Sequence, residues 1–204
     1  MALSLALLAP LVGCKDDEGK KPEDGLDRRT MLASVAKEVV APATAAASSK
    51  IAALVTAVEA YTKALGGGDG ASERQAAQKS WREAMVAWQH VEVMQLGPAA
   101  LKTSPGGEGQ RDKVYSWPTV SPCAVDQQIE NKGYESPTFV EDKLVNVSGF
   151  DALEYLLFYA GADNACPSGA AINRDKLWEK IDTAELKRRR ADYALVVAKG
   201  LAKT

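Results

Sequence analysis

Histidine is nearly missing: the 204-residue chain has one, His90, and no His-Glu-x-x-His helix. Three protein ligands and a general base for zinc hydrolysis are hard to assemble from such a set. A surplus of positive charge is missing too, with 25 Lys and Arg against 27 Asp and Glu and a net charge of -2. That balance gives no reason to expect nucleic acid as a partner. The one basic run, Lys187-Arg188-Arg189-Arg190, reads as a solvated helix face. No stretch alternates polar and apolar residues as a half-buried strand would. Gly66-Gly67-Gly68-Asp69-Gly70 lacks the Lys and the flanking strand of a phosphate loop, so it reads as a connector between helices. Cysteine is scarce, with Cys14, Cys123 and Cys166 only. Neither Cys123 nor Cys166 has a second Cys or a His nearby, which makes a zinc site a poor reading.

What is present begins with Met1 to Gly13, an uncharged run dominated by Leu, Ala and Val. It is shorter than the roughly 20 apolar residues that span a bilayer and has the length of the apolar core of a secretory signal. Leu11-Val12-Gly13-Cys14 resembles the lipobox of bacterial lipoproteins, in which the signal is cut before a Cys that is then acylated. Lys15 to Pro22 follows as a charged tether. No Lys or Arg precedes the apolar run, so the natural start is expected upstream. The expected organisation is a signal over 1–13, lipidation at Cys14 within a tether over 14–25, and one helical domain over 26–204. The protein is then lipid-anchored in the cell envelope, facing the periplasm or on an outer membrane; Lys15 offers no retention signal of the Asp type. In that oxidising compartment Cys123 and Cys166 are expected to form a disulfide, the alternative being two unrelated thiols.

Helical periodicity starts near Leu26. Leu32, Val35, Ala36 and Val39, then Ile51, Leu54, Val55, Val58 and Leu65, follow a 3.6-residue repeat that Pro42 should kink or split. Ser72 with Gln75 reads as a capping box opening a second helix, whose stripe is Ala77, Trp81, Ala84, Met85, Trp88 and Val91. From Pro98 to about Ala124 the chain is rich in Gly, Pro and Ser, and its Tyr115-Ser116-Trp117-Pro118 aromatics are expected to be buried. Short helices are expected near Val125–Asn131 and Thr138–Val145, an apolar one over 149–160, and a last one opened by Asp182 and Glu185. The fold class is all-α: an antiparallel bundle with one long irregular loop.

Two of these helices carry acids in apolar surroundings. Asp151 and Glu154 are neighbours within Phe150 to Tyr159, where every other residue is apolar or aromatic. Glu92 extends the stripe of Trp81, Met85 and Trp88 and is expected to face inward, whereas His90 is expected at the surface. A buried carboxylate costs several kcal/mol unless it is paired, hydrogen-bonded, neutralised or bound to a metal. Asp151 could simply cap amides and Glu154 pair with a basic residue. Alternatively Glu92, Asp151 and Glu154 converge as an oxygen-rich cation site between helices.

Gly149-Phe150-Asp151-Ala152-Leu153-Glu154-Tyr155-Leu156-Leu157-Phe158 resembles the signature helix of the imelysin family, exported bacterial proteins that are often iron-regulated and are also filed as peptidases. Trp81 to Pro98, with Trp88, Glu92 and Gly97-Pro98, resembles an earlier block of that family, and Trp117-Pro118 with Asp126 resembles its Trp-Pro segment. The resemblance implies an all-helical fold and the handling of iron or a similar cation outside the cytoplasm. It carries the metal set to Glu92, Asp126, Asp151 and Glu154. Asp151 stands where the family motif has His, which turns the donors to hard oxygen and away from zinc. The chain also has one helix beyond the motif where the family has a second bundle, so either a shortened member or an incomplete reading frame is expected.

Three functions follow. The first is a lipid-anchored, non-enzymatic protein that binds a metal ion, iron or another hard cation, for uptake or storage, with an envelope partner protein. The second is a metal-free interaction module whose acids bond only to backbone and Arg. The third, a metallopeptidase, is disfavoured by the lack of ligands.

Overall fold

The computed structural model describes residues 27–142 and 145–204. The signal, Cys14 and the tether over 14–25 lie outside them. The described elements are α1 (Arg28–Val35), α2 (Ala41–Ala64), α3 (Ala71–Glu92), α4 (Gln110–Val114), α5 (Pro122–Asn131), α6 (Phe139–Asp142), α7 (Gly149–Phe158), α8 (Ala171–Arg174) and α9 (Thr183–Leu201). Among the described residues there is no strand, and the fold is all-α.

Pro42 does not split its helix, which runs continuously over Arg28–Ala64. It sits in the first turn of α2, and a π-helical turn over Ala36–Val40 joins α1 to α2. Proline cannot donate to a carbonyl one turn back and its ring crowds that carbonyl; the wider turn absorbs both effects. The Ser72 cap is also corrected. Helix α3 starts one residue earlier, behind Gly70 at a φ of 61°, and Asp69 accepts the Ala71 amide at 3.0 Å. At α9 half of the expected box forms. Asp182 accepts the Glu185 amide at 2.8 Å, while the Glu185 carboxylate turns to Arg188 and Arg189 instead.

Helices α2 and α3, joined by a short glycine-rich turn, form an antiparallel pair. Helix α7 packs between α3 and α9, and α9 closes back on α2. The core takes Ile51, Leu54 and Val58 from α2, Ala77, Trp81, Met85 and Trp88 from α3, Leu153 and Leu157 from α7, and Tyr193 and Val197 from α9. Trp81 is the main contact between α3 and α7. Its ring meets Phe150 and Phe158 edge-on, at 6.2 and 5.4 Å, and its indole N–H donates to the Phe150 carbonyl at 3.1 Å.

Three burial expectations are overturned. Leu32, Val35 and Val39 are exposed because nothing in the described chain packs on α1, so the first half of the periodic stripe is uncovered. The continuous helix Arg28–Ala64 is also long and apolar enough, by length and composition, to cross a membrane, and only 17% of its most apolar window is buried. Trp117 is 65% exposed, beside the cis Trp117–Pro118 bond. The basic run is not one solvated face: Arg189 reaches the Ile129 and Glu130 carbonyls, and Arg190 is only 6% exposed.

Candidate functional site

The long loop reaches α7 through a contact that only glycine permits. Gly149 has a φ of 77°, and a Cβ there would lie 2.8 Å from the Val114 carbonyl oxygen. With no side chain in the way, the end of α4 abuts the start of α7. Ser116, two residues further on, then donates its amide to Asp151 Oδ2 at 2.9 Å, and its hydroxyl stands 3.4 Å from the same oxygen. Asp151 is 4% exposed. Burial pushes its carboxyl above the usual range; the Ser116 bonds oppose that rise, and the charge of Glu92 adds to it.

Glu92 is half-buried rather than fully inside. One of its oxygens takes two donors from Arg111 of α4, Nε at 3.0 Å and Nη2 at 2.8 Å. Glu154 is exposed, contrary to expectation, because it lies on the side of α7 that neither α3 nor α9 covers. Desolvation first, and the Asp151 charge second, still hold its carboxyl above the usual range. Tyr115, half-buried beside these groups, has its phenol raised by burial and then by the charges of Asp151, Glu154 and Glu92, with Arg111 opposing. Glu92, Asp151 and Glu154 therefore share one negative field, and Arg111 is the cation set against it.

Asp126 belongs to another group of neighbours. It is fully buried, and its Oδ2 accepts the Tyr155 hydroxyl at 3.0 Å and the Ala165 amide at 2.8 Å. Its other oxygen has no hydrogen-bond partner. Burial raises its pKa, opposed by the Ala165 and Tyr155 bonds and the charge of Arg190. The Cys123–Cys166 disulfide forms beside it and ties the loop after α7 to α5.

Compared with known families, residues 39–203 match the model of imelysin, the peptidase M75 family. The chain belongs to the imelysin family. The match runs past the signature helix to the end of α9, so the last helix is part of the shared unit. No curated protein and no solved structure matches the chain.

The helix that resembles the family signature is α7, and the four acids singled out in the sequence divide three to one: Glu92 of α3 shares a field with Asp151 and Glu154 of α7, and Asp126 of α5 stands elsewhere. Among the described residues, no three His, Cys, Asp or Glu side chains are grouped as a ligand set for one metal ion. Glu92 commits an oxygen to Arg111, and Asp151 commits one to Ser116. These donors do not fit a resident metal held by three or more protein ligands. What they leave are two oxygen donors three residues apart on α7, Asp151 buried and Glu154 exposed. Sequence reasoning missed Arg111, Ser116 and Tyr115. The Trp-Pro block pointed to their loop, but only the fold shows that its backbone meets α7.

Proposed function

We propose that this imelysin-family protein is exported and lipid-anchored through Cys14, and that it handles a hard metal cation as cargo in uptake or storage. Iron and manganese are the leading candidates, and an envelope partner protein would pass the ion on. The metal here is substrate rather than a built-in cofactor. The observation that carries the reading is the under-compensated negative field at Asp151 and Glu154. Burial raises both carboxyls; like-charge repulsion adds to the rise, from Glu92 at Asp151 and from Asp151 at Glu154. A cation arriving there relieves that repulsion, and all-oxygen donors suit hard ions better than zinc.

Calorimetric titration of the protein with iron(III), manganese, calcium and zinc, beside Glu154→Gln, tests it. Saturable binding of a hard cation is expected in the native protein, with at least tenfold loss in the variant. Glu154 is exposed, so unfolding should move by no more than about 0.5 kcal/mol. The pH dependence has a definite sign. Raised carboxyl pKa values mean that protons compete at a higher pH than for solvent carboxylates, so affinity should fall early on acidification. Equal binding by native protein and variant would place the cation elsewhere.

A second reading, a metal-free interaction module of the envelope, is favoured by two observations. Glu92, Asp151 and Asp126 each already accept bonds from their own chain. Met31, Leu32, Val35 and Val39 are exposed near the tether, and large uncovered apolar side chains mark contact surfaces. This reading expects no cation to bind and expects Glu154→Gln to shift stability equally with and without cations.

A further inference from the structure

The second charged region of the molecule lies away from the acids, where α9, α3 and the loop following α7 enclose a cavity of about 230 Å³. Arg74 from α3 and Lys187 and Arg190 from α9 line it, together with Tyr61, Tyr159 and Thr183. We propose that this cavity binds a small tetrahedral oxyanion, a phosphate or the terminal phosphoryl group of a small phosphate ester.

The three cations have only neutral partners. Arg190 Nη1 donates to the Gly161 carbonyl at 2.7 Å, Nη2 reaches the Asp163 carbonyl at 3.4 Å, and Nε has no hydrogen-bond partner. Its guanidinium lies over the Tyr159 ring, 5.1 Å from the centroid. Arg74 donates from Nε to the Leu157 carbonyl at 2.8 Å and from Nη2 to the Tyr159 carbonyl at 2.9 Å. Lys187 donates to the Asp69 carbonyl. Among the described residues none of the three is paired with a carboxylate. Asp163 accepts the Tyr159 hydroxyl and Asp126 accepts Tyr155 and Ala165; both acids feel the Arg190 charge without a direct hydrogen bond to it.

A buried guanidinium beside two more cations is costly unless negative charge offsets it. Burial acts first against the Arg190 cation; the charges of Tyr155, Asp126 and Tyr159 support it, and that of Arg74 opposes it. Arg190 also staples the loop after α7, but that role does not explain why Arg74 and Lys187 gather at the same cavity. Thr183, at the start of the 19-residue α9, adds the positive end of the helix dipole. The cavity is smaller than the roughly 300–1,000 Å³ of cofactor and drug pockets, which limits the enclosed group to a small anion.

The test is calorimetry of the full chain with inorganic phosphate and, separately, glycerol phosphate, in chelator and at constant ionic strength set by chloride. The chelator separates this result from cation handling at Asp151 and Glu154. Saturable binding of phosphate is expected, weakened at least tenfold by Lys187→Gln and by Arg74→Gln. Lys187 is only half-buried, so its variant should unfold like the native protein. Binding of both probes identifies a phosphoryl group carried on a larger molecule, and binding of phosphate alone identifies the free anion. No saturable heat with either probe, a response that chloride reproduces, or affinity unmoved in both variants overturns the proposal.

Discussion

Trp81→Ala is expected to lower the unfolding free energy by about 3–5 kcal/mol, the usual cost of truncating a buried aromatic. The cost should be high in that range because Trp81 holds three things at once. It fills the space between α3 and α7, it meets Phe150 and Phe158 edge-on, and it satisfies the Phe150 carbonyl. Its loss leaves a cavity and removes the indole bond to a carbonyl in the first turn of α7. Urea unfolding followed by circular dichroism measures the effect. A change below about 1 kcal/mol would mean that α7 is held mainly from the α9 side.

Reduction of Cys123–Cys166 should cost about as much. The bridge spans 43 residues, and closing such a loop is worth about 4 kcal/mol in the chain-entropy model. For a domain of this size that corresponds to a fall in Tm of about 8–16 °C. The effect is local as well as global, because the disulfide sits beside the Ala165 amide that donates to Asp126 and the loop whose Gly161 and Asp163 carbonyls accept from Arg190. Protease sensitivity over 159–170 should therefore rise on reduction before the whole domain melts. Thermal unfolding with and without reductant checks both statements, and an unchanged Tm would contradict them.

Local signals in the sequence carried the helices and much of the core. The stripe of Ala77, Trp81, Ala84, Met85 and Trp88 is buried as its spacing predicts, and the last helix runs along Leu186, Tyr193, Val197 and Leu201. Periodicity reports an apolar face, however, and cannot report whether a partner covers it. That is why Leu32, Val35 and Val39 were expected inside and lie outside. Charge runs fail for the opposite reason. Arg188 is exposed while Arg190, about half a turn away, is buried, a difference set by the loop that folds over α9.

At the site, the motif named the acids but not their state. Asp151 and Glu154 are three residues apart, yet one is buried against Ser116 and the other is open to solvent. That division depends on the Gly149 contact with α4, a long-range feature with no local signature beyond the glycine itself. Asp126 matched the family pattern by position, and the fold gives it Tyr155 and Ala165 in place of the other acids.

The proposed function requires a cation to meet the protein at Asp151 and Glu154. Manganese(II) tests the location directly, because the paramagnetic ion broadens the resonances of nearby nuclei. In a sub-stoichiometric titration of the isotope-labelled protein, amide signals of Tyr115, Ser116 and residues 151–155 should broaden first, and Glu154→Gln should abolish the effect. Broadening that begins elsewhere, or that is uniform along the chain and unchanged in the variant, would contradict the cation reading and leave the interaction module as the function to pursue.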